Sequence, residues 1–356
     1  MTKNLIFLAG KNAYHTIKES GLKPDSVKTI AGAAGGPKWL VLNRFDRMLF
    51  PEFFKHRTKP LYLIGSSIGA WRFAAMCQND PVEAQQKFED AYIHQRYSSK
   101  PNAREVSVES NRIIDIFLGK NAVEEILSNS VFKIGFISVR CKWPSTSDSK
   151  ALLGTGLLIA SAANLIDRRL LRIQFDRTLF HHPEINPPYL ETNEFPLSKV
   201  TLTSVNFTTA LLSSGSIPLV MEGMKDIPDA PKGTYRDGGL IDYHMDIPFQ
   251  AESHEIVLYP HFSNRIVPGW LDKALKWRKP GADNMKNVLL IAPSREYIEN
   301  LPNGKIPDRN DFVLYNGRDK DRFRDWKTVV AEGQKLADEF VEVVKSGQIR
   351  NRIQPL

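Results

Sequence analysis

Two strand–turn–helix units in succession constrain this chain more than any other feature of it. In VKTIAGAAGGPKWLVLNRFDRML, Val27 to Ala31 is a buried-type apolar run, and Gly32, Gly35 and Gly36 form a loop. Pro37 suits the first turn of a helix, and Trp39, Leu40, Leu42, Phe45 and Leu49 then recur at helical spacing. In LYLIGSSIGAWRFAAM the logic repeats. Leu61 to Ile64 is the strand, residues 65–69 the turn, and Ala70 to Gln78 the helix. Two such units argue for an α/β fold, with a mostly parallel sheet and helices packed on it.

Further strands are expected at Phe132–Val139, Val200–Phe207, and near 235–241, 255–260 and 287–292. Residues 81–130 carry a mainly helical pattern and read as an insertion. Residues 151–171 read as an apolar helix, and Phe323–Val344 as an amphipathic one. A polar, Pro-rich loop is expected across HHPEINPPYLETNEFP. No linker or internal repeat interrupts residues 1–356, so one domain is expected, with residues 285–356 as an extension of it.

The second turn carries the sharper chemistry. A serine hydroxyl attacks a carbonyl only when it is exposed, oriented and deprotonated on the way. A tight strand-to-helix bend supplies exposure and orientation, but it needs glycine two residues before and two after the serine. Gly65 and Gly69 satisfy that spacing for Ser67 and not for Ser66. The first turn, with Gly35 and Gly36 ahead of a helix, can present backbone N–H donors to an oxyanion, and Lys38 can add charge or anchor the loop. It matches neither the dinucleotide pattern nor the P-loop. A third candidate is Asp237 in TYRDGGLIDYHMDIP, because Gly238 and Gly239 remove side-chain bulk beside the carboxylate. Asp-Gly is also a common turn pair. Asp242, Asp246 and His244 are nearby alternatives without flanking glycines.

Taken together, these residues resemble the patatin-like phospholipase family. The family pairs a Gly-rich oxyanion loop, a G-x-S-x-G elbow and a later Asp-Gly-Gly or Asp-Gly-Ala. Here Gly35-Gly36-Pro37-Lys38, Gly65 to Gly69 and Asp237-Gly238-Gly239 follow that order. Ser213 to Met221, SSGSIPLVM, resembles the family's small-residue segment upstream of the aspartate. The matches span about residues 27–247. The loop departs from the family's pattern at Ala34 and Trp39, and Trp39 is placed to narrow the acyl site. The resemblance implies a three-layer α/β fold with helices on both faces. It also implies a lipid acyl hydrolase whose Ser67 is the nucleophile and Asp237 the base, with no cofactor and no metal. Two other readings stand beside it. One is an esterase with His261 as the base, since Ser67, Asp237 and His261 follow the order of α/β-hydrolases. The other is a lipid-binding protein with weak turnover.

Composition bounds the partners. Lys and Arg exceed Asp and Glu by 48 to 40, a net charge of +8, but the charges are spread and no nucleic-acid patch is expected. The densest basic stretch, Lys273 to Lys279, sets Lys273, Lys276, Arg278 and Lys279 beside Trp270 and Trp277. It reads as a solvated helix face or as a contact with an anionic lipid surface. The apolar helix at 151–171 reads as core, as an acyl-channel wall or as a lipid contact, and Arg168, Arg169 and Arg172 at its end can meet phosphate or cap the helix. A peripheral membrane contact and a lipid substrate are therefore the expected partners. Two cysteines, Cys77 and Cys141, suggest a reducing, cytoplasmic setting. Leu5 to Gly10 is too short for a secretory apolar region. The adjacent His181 and His182 lack zinc spacing.

Overall fold

The computed structural model describes residues 3–185, 194–249 and 251–356. Among the described residues eleven strands form one sheet. They are β1 (Leu5–Ala9), β2 (Val27–Gly32), β3 (Leu61–Ser66), β4 (Phe132–Cys141), β5 (Phe175–His181), β6 (Leu197–Thr201), β7 (Met224–Lys225), β8 (Thr234–Asp237), β9 (Ile256–Pro260), β10 (Val288–Pro293) and β11 (Ile353–Pro355). The order is β11-β1-β10-β9-β2-β3-β4-β5-β6, with β8 added to β4 and β7 to β8. Six of the ten pairings are parallel. In β5, β9 and β10 every residue is buried. Successive strand residues face opposite sides, so helices must cover both faces of the sheet. The fold is therefore the expected three-layer α/β arrangement.

The register around β4 positions the chemistry. On one edge β4 pairs with β5 from Gly135 to Cys141. Along the other edge it pairs first with β3 in parallel, ending at Ser66 opposite Ile137. It then pairs with β8 antiparallel, starting with Asp237 opposite Ser138. Ile137 and Ser138 are neighbours, so β3 and β8 run toward each other and meet at their C-terminal ends. That meeting places the residue after β3 against the residue that closes β8.

The segments between strands build the walls. Residues between β3 and β4 include the helix Ile68–Met76 and three more, Pro81–Ile93, Ala103–Leu118 and Ala122–Ser128. The Ile68–Met76 helix is buried along its whole length. Arg72 ties it down through a buried bidentate pair with Asp46, at 2.7 and 2.8 Å. Losing one partner of such a pair would cost about 3–5 kcal/mol. Trp71 Nε1 donates to the Leu211 carbonyl at 3.0 Å, joining this helix to the next wall, Phe207–Ser214.

Several expected elements differ in detail. The strand at Val200–Phe207 ends at Thr201, and Phe207 begins a helix. Thr203 and Asn206 exchange side-chain bonds with each other's N–H at 2.9 and 3.3 Å, and this turn stops the strand. The strand near 235–241 ends at Asp237, whose carboxylate caps the following turn of 3₁₀ helix, Gly238–Leu240. The helix at 151–171 is an α-helix over Lys150–Ile166, followed by a 3₁₀ helix, Arg168–Ile173. Strand β5 was not expected. The polar loop expected around 181–196 falls partly on residues 186–193, outside the described residues.

Candidate active site

The first strand–turn–helix unit ends in a loop that crosses the second. A Cβ on Gly69 would lie 2.3 Å from the Gly32 carbonyl oxygen, and one on Gly65 2.6 Å from the Ala70 nitrogen. Both turns therefore pack backbone on backbone, which only glycine permits. Gly69→Ala is expected to destabilise the fold by about 3 kcal/mol, since the obstacle is main chain that has nowhere to move. A thermal melt would read it as a fall in Tm.

Ser67 takes φ 54° and ψ −128°. A non-glycine residue is held there at a cost of about 1–3 kcal/mol, and the surroundings enforce it. Its N–H donates to Ser214 Oγ at 3.0 Å, and Ser214 Oγ donates on to the Ile137 carbonyl at 2.7 Å. The Ser67 hydroxyl then points at the acid and donates to Asp237 Oδ2 at 2.7 Å. The two side chains are 170 residues apart in sequence.

The acid is fixed from behind. Gly239 N–H donates to Asp237 Oδ1 at 2.7 Å, and Asp237 N–H donates to the Ser216 carbonyl at 2.9 Å. A Cβ on Gly238 would stand 2.2 Å from the Ile137 carbonyl oxygen, so the close approach of β8 to β4 explains that glycine. Burial pushes the Asp237 carboxyl up to about 6. The bonds from Ser67 and Gly239, and the charges of Arg309 and Lys273, offset part of that rise.

Ser67, Asp237, Gly35, Gly36 and Gly239 line one recess of about 30 Å³. Gly36 has φ +56°, a left-handed conformation that suits glycine. Among the described residues the N–H groups of Gly35, Gly36 and Ile68 have no hydrogen-bond partner. Ile68 is the first residue of the helix after Ser67, so its N–H also gains from the helix dipole. The Ala34 N–H is committed to the Tyr243 carbonyl at 2.9 Å.

The recess opens into an apolar cleft of about 520 Å³. Trp71, Tyr92, Val106, Ile113, Met221 and Phe312 contribute to its walls.

No family model matches this chain, and no curated protein matches it in sequence. Among solved structures it is similar to VipD from Legionella pneumophila, with a TM-score of 0.38 at 12% identity. The alignment covers 88% of this chain and 67% of that one. A likeness that slight does not bear on the site, which is read from its own geometry.

Other sequence candidates lie elsewhere. Lys38 does not line the recess. Its ammonium stands over the Phe262 ring at 4.9 Å, and burial lowers its pKa, so it anchors the loop. Trp39 does not narrow the cleft, because it is buried and stacked on Phe88 at 4.3 Å. Ser66 is buried at the end of β3. Asp242 is held by Arg177 in a buried bidentate pair, and Asp246 accepts from Gly281 and Asn284. His261 contacts neither Ser67 nor Asp237. Its Nδ1 lies 2.6 Å from the Ser263 carbonyl, its ring packs on His244 at 4.3 Å, and burial drives its pKa down to about 3. Cys77 and Cys141 are both buried and unpaired, and no group of three or more metal-ligating side chains occurs among the described residues.

Four residues at or beside the site are not singled out as site residues by the sequence. Ser214 braces Ser67 and Ser216 braces Asp237, and the run of small polar residues in SSGS is the only signal for them. Arg309 lines both the recess and the cleft, and among the described residues its guanidinium has no hydrogen bond or ion pair. Nothing in the surrounding PDRNDF marks it. Lys273 sits over the Tyr243 ring at 4.1 Å, with its pKa lowered by burial and by Arg309 and Lys38, although the residue as a whole stays exposed.

Proposed function

We propose that this protein is a serine ester hydrolase of the patatin-like kind, acting on lipid acyl esters with Ser67 as nucleophile and Asp237 as general base. The observation that supports this most is the 2.7 Å hydrogen bond from a strained, buried Ser67 hydroxyl to a carboxylate that burial has made more basic. In the first half-reaction Ser67 Oγ attacks the ester carbonyl and its proton passes to Asp237 Oδ2. The N–H groups of Gly35, Gly36 and Ile68 are available to the oxyanion. The tetrahedral adduct collapses, the alcohol leaves with the proton from Asp237, and the acyl chain stays on Ser67. Asp237 then takes a proton from water, whose oxygen attacks the acyl carbon and frees the acid as Ser67 Oγ recovers a proton. Gly239 N–H holds Oδ1 throughout, so Oδ2 keeps the proton-transfer role.

The apolar cleft beside Ser67 suits an acyl chain, and the free Arg309 guanidinium suits an anionic group near the ester. Arg309→Ala is expected to raise KM for an anionic phospholipid about tenfold and to leave turnover of an uncharged p-nitrophenyl ester nearly unchanged. The direct test of the reading is hydrolysis of short and long p-nitrophenyl esters together with labelling by a fluorophosphonate probe. Turnover with Ser67-dependent labelling supports it. Silence in both assays supports a lipid-binding protein instead.

A further inference from the structure

The outer face of the Lys150–Ile166 helix takes no part in the cleft. Its inner face is core, with Leu153, Leu157 and Ala160 buried against Leu240 and Ile241 and with Trp270 packed on the same cluster. On the opposite side Leu152, Leu158, Ile159, Leu165 and Ile166 recur at helical spacing and are all exposed, Leu158 by 73% and Ile166 by 82%. The positions between them on that stripe are Ala151, Thr155 and Ala162, also exposed, and no charged residue occurs from 151 to 166. A helix on a water-facing surface carries charge there, and an exposed apolar strip of this length marks a contact. At about 1.5 Å per residue the helix is about 25 Å long, and no helix among the described residues is long and apolar enough to cross a membrane.

The basic, tryptophan-bearing stretch singled out in the sequence lies against the same helix. Arg278 Nη2 donates to the Asn164 carbonyl at 2.6 Å, and Asn164 Nδ2 donates to Asp272 Oδ1 at 2.7 Å. The stretch is not a helix face, since regular structure is confined to the 3₁₀ turn Trp270–Asp272. Trp277 is 70% exposed. Lys150 at one end of the helix, and Lys276 and Lys279 near the other, have no ion pair among the described residues. The nearby acids are already matched. Asp167 is paired with Arg169 at 2.7 Å, Asp148 with Arg236 at 2.7 Å, and Asp272 with Arg278 at 3.4 Å.

We propose that this face docks on an anionic lipid bilayer. The apolar stripe enters the headgroup boundary in the membrane plane, Trp277 sits at headgroup depth, and the unpaired lysines meet lipid phosphate and carboxylate. Trp270 packs beneath this helix and also lines the recess and the cleft beside Ser67, so one side chain joins the docked helix to the wall of the cleft that a lipid substrate would enter. The docking stands apart from the hydrolase reading, and only its consequence for substrate access rests on that reading.

Sedimentation of the full chain with phosphatidylcholine vesicles, with and without phosphatidylserine, tests it. Binding is expected to the phosphatidylserine vesicles and to fall with salt. Leu158→Glu with Ile166→Glu is expected to cut the bound fraction at least about tenfold, and Lys276→Glu with Lys279→Glu to cut it about fivefold or more per lysine. Both pairs should melt like the wild type and hydrolyse a soluble ester at its rate. Ser67→Ala should still bind vesicles, which separates failure of docking from failure of the catalytic reading. A wild-type chain that ignores anionic vesicles, or a Leu158→Glu/Ile166→Glu variant that binds as well as the parent, overturns the proposal. So does a wild-type dimer, without vesicle binding, that this variant dissociates, because the face would then belong to a second copy.

Discussion

Replacing Ser67 by alanine is expected to lower kcat for a p-nitrophenyl ester by about 10⁴- to 10⁶-fold, the loss seen when a nucleophile that works with a base is removed. The fold should survive. Ser67 N–H keeps its bond to Ser214, and alanine meets the same backbone strain that serine already carries there. The same change leaves the buried Asp237 carboxylate with the Gly239 backbone N–H as its remaining donor, which costs about 1–3 kcal/mol at alkaline pH. A folded, inactive and modestly destabilised protein is therefore the result to look for. His261→Asn provides the contrast. The Asn amide can replace the ring nitrogen that bonds the Ser263 backbone, and His261 does not touch the dyad, so activity should remain within about threefold. Activity within tenfold of wild type in Ser67→Ala would remove the nucleophile assignment. Loss of activity in a stable His261→Asn would revive the histidine-assisted esterase.

What the sequence disclosed follows the range of the forces involved. The elbow is legible because its glycines answer a local collision, two residues either side of Ser67. Asp237 is legible for the same reason, through the glycine that lets β8 approach β4. The pairing of the two is not local. It depends on β3 and β8 sharing one edge of β4, and no short pattern encodes a register. Strand β5 was missed because Asp176 and Arg177 break its apolar run. Both are buried there because Arg140 and Lys142 pair with Asp176 and Asp242 pairs with Arg177. Arg309 was invisible because the loop that carries it has meaning only beside Gly36. The Lys150–Ile166 helix shows the limit most clearly. A segment apolar on all sides reads as core, and only the packing reveals that one of its faces is exposed.

The second large effect concerns Asp237→Asn, which should separate activity from stability. Asparagine can keep the Gly239 N–H on its amide oxygen and donate from its NH2 to Ser67 Oγ, but it cannot take the proton, so kcat should fall by at least about 10³-fold. Stability should move the other way above pH 6. The folded carboxyl titrates at about 6, above the 3.8 of a free aspartate. The fold thus favours the protonated form. That contribution is fully present below pH 3.8 and is lost as pH rises through 6. A shift of about two pH units corresponds to about 3 kcal/mol of penalty at pH 8, which a neutral asparagine does not carry. The variant should therefore melt above the wild type at pH 8 and lose that advantage toward pH 4. The wild-type rate should show the same group from the other side. The base must be ionised, so kcat/KM should be half-maximal near pH 6 and fall about tenfold per unit below it. Calorimetry of both proteins across pH 4–8, alongside the wild-type rate profile, checks all three statements. An active Asp237→Asn, or a rate profile flat down to pH 4, would show that the buried carboxylate is not the base. A variant less stable than the wild type at pH 8 would show instead that the Ser67–Asp237 bond outweighs the desolvation that raises the acid's pKa.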